Sequence, residues 1–174
     1  QQKKVEKKIN ETINGFTLNG HIKSYLSDKV YLNKILEHSI YPIDSAIIEN
    51  NRFVFNGIVN YPERFLLTFE NYSASITLII ENTAFEIEVD PILIPEPKII
   101  GSPLNTLLFE YKQNAKKIFN KMDLLYPKFQ KARLENDSEK LAEIGTELQI
   151  IETKFRDYSY HFIKENSNSY VAVM

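Results

Sequence analysis

The hydrophobic period of this chain changes once, at Gly101-Ser102-Pro103, and that change limits the fold more than any other feature. Ahead of it, short apolar runs alternate with turn residues, as strands do. Beyond it, apolar residues recur every three or four positions, as on one face of a helix. Ser102 is a good N-cap, and Pro103 suits the first helical position, where a missing N–H costs nothing. Leu104, Leu108, Tyr111, Ala115, Ile118, Met122, Leu125 and Phe129 form one stripe. Leu141, Ile144, Leu148, Ile151, Phe155, Tyr158 and Phe162 form a second. The polar turn Glu135-Asn136-Asp137-Ser138 lies between them, so the two helices should fold back as an antiparallel hairpin. Pro127 falls inside the first stripe, which continues to Phe129, so a kink is expected there rather than a stop.

The strand region centres on Ile43 to Phe69, where three apolar runs are separated by Glu49-Asn50-Asn51 and by Asn60-Tyr61-Pro62-Glu63. Such runs read as antiparallel strands joined by hairpins. In the middle run Phe53, Phe55, Gly57 and Val59 share one face and should form the heart of a core. Phe16–Ile22, Lys29–Leu32, Ser75–Ile80, Ala84–Asp90 and Lys98–Ile100 supply further strands, while 33–42 reads as a loop or irregular edge. A hairpin is expected around Glu81-Asn82-Thr83, with Phe85, Ile87 and Val89 facing in and Glu86, Glu88 and Asp90 facing out. Pro91, Pro95 and Pro97 should make the stretch 91–97 an irregular connector. The expected fold class is α+β: an antiparallel β-sandwich or barrel of about eight short strands, then a long antiparallel α-helical hairpin.

These boundaries give a basic tether over 1–11, a β domain over 12–101, the hairpin over 102–166 and the start of a further module over 167–174. Tyr170-Val171-Ala172-Val173-Met174 stops in apolar sequence and reads as a cut chain, and Gln1-Gln2 reads as the stub of a processed one.

Composition narrows the functions. A net charge of −2 argues against broad attraction to nucleic acid or anionic membranes, and no aromatic residues interleave with Lys3, Lys4, Lys7 and Lys8 to stack on bases. The hydrophobic fraction of 43% is enough for a real core. There is no cysteine, so thiol chemistry and disulfides within this chain are excluded. Glu86, Glu88 and Asp90 read as a solvated face rather than a metal cluster. His21, His38 and His161 lack any metal-ligand spacing, and Asp44-Ser45 lacks the context of a nucleophile. No phosphate-binding glycine loop is present, and no catalytic residue, cofactor or metal is expected.

Several segments together resemble a known family. Phe16-Thr17-Leu18-Asn19-Gly20-His21-Ile22, Ile43-Asp44-Ser45-Ala46, Asn51-Arg52-Phe53-Val54-Phe55-Asn56-Gly57-Ile58-Val59, Tyr61-Pro62, Ile80-Glu81-Asn82 and Gly101-Ser102-Pro103-Leu104-Asn105 occur in this order. With the tail Phe162 to Ser169 they resemble the uncharacterised N-terminal β domain of Bacteroides-type thiol–disulfide oxidoreductases, whose C-terminal module is thioredoxin-like, of the AhpC/TSA type. The resemblance implies a non-catalytic accessory domain of an exported protein, in the periplasm or cell envelope and often lipid-anchored through an upstream segment. It implies the C-terminal thioredoxin-like module of the same polypeptide as partner, and that module's thiolate would carry the chemistry. It transfers no catalytic or binding residue, because the chain has no cysteine and the family's β domain has no assigned ligand.

Two other readings stand beside it. One is a structural or adhesive β domain that forms a homodimer through its hairpin; the other is a hydrolase or carbohydrate-binding module using surface carboxylates and tyrosines. Leu107, Phe119, Leu124, Ile150 and Ile163 lie outside the two stripes and widen the apolar faces of the helices. They are the expected docking surface, an exposed apolar patch that a second module or a second copy would cover.

Overall fold

The computed structural model describes residues 15–36 and 39–173. The chain divides between Ser102 and Pro103 into two compact units. The expected tether over 1–11, the start of the β domain, His38 and Met174 lie outside the described residues.

In the first unit, eight strands follow one another: β1 (Phe16–Ile22), β2 (Lys29–Leu36), β3 (Ser39–Ile47), β4 (Arg52–Gly57), β5 (Glu63–Phe69), β6 (Ser75–Ile80), β7 (Ala84–Val89) and β8 (Lys98–Ile100). They build two four-stranded sheets, ordered β4-β1-β7-β8 and β3-β2-β5-β6. Alternation decides the faces: Leu18 and Ile22, Phe53 and Phe55, and Phe85, Ile87 and Val89 are buried from the first sheet. Val30 and Leu32, Phe65, Leu67 and Phe69, and Ile76, Leu78 and Ile80 are buried from the second. The ring of Phe53 meets that of Phe69 edge-on at 6.4 Å, which joins the two layers.

β1 and β4 carry the same five-residue pattern, Phe-x-x-Asn-Gly, at Phe16–Gly20 and Phe53–Gly57. Their antiparallel register sets Phe16 opposite Gly57 and Gly20 opposite Phe53. Each phenylalanine therefore lies over the other strand's glycine. A Cβ on Gly20 would fall 2.1 Å from the Phe53 ring, and one on Gly57 would fall 2.7 Å from the Phe16 ring. The two glycines are needed for room, and the rings restore the apolar contact that they lack.

Two strand expectations need correction, and a third holds in one of its two forms. The described part of 33–42 is an irregular edge rather than a loop: β2 runs on to Leu36, and the edge strand β3 begins at Ser39 and pairs with it. A register shift between Leu32 and Asn33 breaks the alternation there, and the ends of this hairpin expose Leu36, Ile40 and Tyr41, so no inward face is visible in the sequence. The three central runs do not form successive hairpins either. Asn50 and Asn51 do make a tight turn, both with positive φ, closed by reciprocal backbone bonds between Glu49 and Arg52. Beyond it, however, β4 joins β1 in the other sheet, and β5 pairs with β2 and β6. A turn fixes only the local reversal; the Phe–Gly complementarity of β1 and β4 fixes the partner. Likewise β6 and β7 belong to different sheets, and β7 runs parallel to β1, the only parallel pairing among the described strands.

The second unit holds α1 (Pro103–Leu134), α2 (Ser138–Glu165) and a 3-10 turn at Tyr170–Val173. The helix α1 runs through Pro127 without a stop. It ends where Asn136 adopts a positive φ and the Asp137 N–H reaches back to the carbonyl of Ala132. Asp137 then caps α2, its carboxylate accepting the N–H of Lys140 at 2.9 Å. Leu125, Ala132, Ile144 and Ile151 are buried between the helices, with Ile118, Met122, Phe129, Leu141 and Leu148 packed against them. Towards the other end Tyr111 stacks on Tyr158 and meets the Phe162 ring at a tilt, and its hydroxyl shares a hydrogen bond with Ser159. The two sequence stripes thus face each other.

Candidate functional site

The edge strands β3 and β4 border a cleft of about 410 Å³ on one side of the sandwich. Its floor is apolar, made of Phe16, Leu32 and Phe65 from β1, β2 and β5. Ile43 on β3 and Ile58 and Tyr61 in the β4–β5 connection form exposed walls. Lys34 and Glu63 pair at 2.9 Å on the rim, and that hydrogen bond holds the Lys34 ammonium above its ordinary pKa. Asp44, also on the rim, accepts the backbone N–H of Ser45 at 2.8 Å.

The side chain of Asn82 grips the connection between β4 and β5. The Val59 N–H donates to Asn82 Oδ1 at 3.0 Å, and Asn82 Nδ2 donates to the Val59 carbonyl at 2.7 Å. The amide of Asn82 thereby pairs with both backbone groups of Val59, as a neighbouring strand would. The cleft combines an apolar floor with a few charged groups at the rim, an arrangement suited to binding rather than to proton transfer.

The outer face of the β4-β1-β7-β8 sheet is polar. Register aligns Arg52, His21, Glu88 and Lys98 across its four strands, beneath a shallow depression of about 490 Å³. Lys23 lies 3.7 Å from Glu88 and 3.3 Å from Asp90. The Ile92 backbone N–H, and after it Lys23, holds the Asp90 carboxyl below its ordinary pKa. Glu86 and Glu88 lie on this solvated face, as alternation requires. No group of acidic residues and histidines among the described residues is placed to hold a metal. His21 and His161 belong to different units, and His161 pairs with Glu165 at 3.0 Å.

Of the five expected docking residues, Leu124 is 70% exposed, Ile150 50% and Ile163 48%. Leu107 and Phe119 are half-buried, and Phe119 packs on Phe155 inside the hairpin at 4.5 Å. At 3.6 residues per turn Leu124 and Phe119 fall on opposite flanks of the inward Leu125 row, so the five residues do not make one patch.

The family described as "Domain of unknown function (DUF4369)" matches residues 16–108. The chain belongs to the DUF4369 family. No curated protein matches it. The DUF4369 span takes in all eight strands and the start of α1, and most of the hairpin lies beyond it. Both Phe-x-x-Asn-Gly segments, the cleft and the Asn82 clamp lie inside the span. The chain contains no cysteine and hence no redox-active one. The cleft is not legible in the sequence, because β3 and β4 follow each other in the chain yet belong to different sheets, and no local spacing marks the gap between them. Asn82 looks like an ordinary turn residue in the sequence, and nothing near it there shows that it holds Val59.

Proposed function

We propose that this DUF4369 chain is the non-catalytic N-terminal part of an exported thioredoxin-like thiol–disulfide oxidoreductase, in the periplasm or cell envelope. It positions the catalytic module or recruits its clients. The observation that carries this reading is the ordered set of segments from Phe16 to Asn105 that resembles the N-terminal domain of such oxidoreductases. Family membership is compatible with it, since the family's description assigns no activity of its own. The reading places the thiolate chemistry in a further module of the same polypeptide and leaves this part to bind and orient.

Two experiments test it. In an insulin-reduction assay with dithiothreitol, the chain of residues 1–174 is expected to match the buffer blank. Turnover well above the blank would end the accessory reading. The second uses the longer polypeptide, with Leu124→Asp and Ile150→Asp introduced on one flank of the hairpin. Both side chains are exposed, so each change should alter stability by no more than about 0.5 kcal/mol. If this flank docks the catalytic module, limited proteolysis between the modules should become faster in the variants. An unchanged cleavage rate would remove Leu124 and Ile150 from the docking surface.

A further inference from the structure

The two lips of the cleft differ in what their backbones offer. Along β4, successive residues turn their backbone groups to opposite sides of the strand. The Ile22 N–H donates to the Asn51 carbonyl at 2.8 Å, so Phe53, Phe55 and Gly57 turn their N–H and C=O groups to β1. Arg52 turns the other way and exchanges bonds of 2.9 and 3.0 Å with Glu49. Val54, Asn56 and Ile58 follow it on that side, where no strand among the described residues pairs with β4. Asn82 holds both backbone groups of Val59, which carries the alternation beyond the end of β4. Nothing blunts this edge. The β1–β4 register is unbroken over six pairs, the stretch 52–61 has no proline, and Val54 and Ile58 are 47% and 73% exposed.

Strand β3, the other lip, is blunted. The Ile48 N–H donates to the Asp28 carbonyl at 2.9 Å, so Ala46 and Asp44 face β2 while Ser45 and Ile47 face out. The outward N–H of Ser45 is taken by the Asp44 carboxylate. On β2 the even-numbered residues face β3, since the Lys29 carbonyl accepts from the Glu70 N–H on the other side at 3.0 Å. Past the register shift Lys34 is opposite Tyr41, which turns Pro42 outwards, and a proline has no N–H to offer. A strand that enters the cleft therefore finds its partner in β4 and not in β3.

An open edge of this kind takes another extended backbone, and the cleft beside it selects the side chains. Asn56 and Ile58 line the cleft, so alternate residues of an added strand would lie over its floor of Phe16, Leu32 and Phe65. The charged residues that line it are Lys34, Asp44 and Glu63. Lys34 and Glu63 neutralise each other at 2.9 Å, which leaves the Asp44 carboxylate for an incoming lysine or arginine.

We propose that the open edge of β4 binds an extended peptide segment of another protein, added as a further strand with apolar residues over the cleft floor and a basic residue at Asp44. This binding gives the client-recruiting side of the accessory reading its chemistry, and it rests on that reading only for where the peptide comes from. The titration below uses the present chain alone, so its failure would leave the placement of the catalytic module untouched.

The probe is a short blocked peptide of alternating valine and threonine with one threonine replaced by lysine, titrated calorimetrically into the chain of residues 1–174. Dissociation constants of about 10 to 500 micromolar are expected. N-methylation of alternate peptide amides should weaken binding about tenfold or more in one phase and be tolerated in the other, because only every second N–H faces β4. Val54→Pro removes an outward N–H, leaves the bonds to β1 in place and should weaken binding by a similar factor. Asp44→Asn keeps an acceptor for the Ser45 N–H and removes the charge, so it should weaken the lysine peptide and leave the all-threonine peptide unchanged. No binding up to millimolar peptide would overturn the proposal, as would equal effects of the two methylation phases or unaltered binding by Val54→Pro. A two-chain mass in sedimentation that Val54→Pro returns to one would also overturn it, since the occupant would then be a second copy.

Discussion

Phe53→Ala is expected to lower the stability of the β unit by about 3–5 kcal/mol, with a matching fall in the urea midpoint. Phe53 is buried, contacts the Phe55 ring at 5.9 Å and the Phe69 ring at 6.4 Å, and covers the bare backbone of Gly20. Removing it leaves a void with a glycine on one wall, and a glycine has no side chain that can move in to fill the space. Phe55→Ala should cost a similar amount, since Phe55 is also wholly buried. If neither substitution moved the midpoint, the core would not lie on this face of β4.

Gly20→Ala should be the second large effect, and its sign should depend on Phe53. In the parent chain the new methyl would fall 2.1 Å from a ring that Phe55 and Phe69 hold in place, an overpacking expected to cost about 1–3 kcal/mol. In a Phe53→Ala background the same methyl enters the vacated space and should recover part of the loss. A double-mutant cycle therefore predicts coupling of at least about 1 kcal/mol between these cross-strand neighbours. Additive effects would mean that the ring and the glycine are not in contact. Reading Gly20 as a merely flexible position would predict the same small cost in both backgrounds.

The period change at Gly101-Ser102-Pro103 made the division between strands and helices legible, because helical and strand spacings are set by backbone geometry alone. Phe85, Ile87 and Val89 could be assigned to the core by alternation, and so could Phe53 and Phe55. Pairing was far less legible. Asn50-Asn51 signals a turn, and a turn is present, but the sequence near it cannot say that β4 leaves its neighbour for β1. That choice rests on Phe16 fitting Gly57 and Phe53 fitting Gly20, a match between segments that are distant along the chain. The β2–β3 hairpin was hidden for a different reason: a register shift and two-sided exposure erase the alternation on which strand reading depends. The sites were the least legible of all. The cleft wall depends on Asn82 reaching Val59, and the groove of the hairpin is lined by residues of two different helices.

The parallel pairing of β1 with β7 also sets an order of events during synthesis. Strands β2 and β3 can close on each other as soon as both have emerged, and so can β5 and β6, because each pair is joined by a short connection. Strand β1 emerges ahead of all of them, yet its partners in β7 lie 67 positions later in the chain. Until Ala84–Val89 has been made, one side of β1 has no strand to pair with, while Leu18 and Ile22 are already in place to be buried. Closing a loop of that length is slow compared with forming a hairpin. The sheet built from local hairpins is therefore expected to come first, serving as the surface on which β1, β4, β7 and β8 are gathered. The earliest strand of this unit is among the last to be completed.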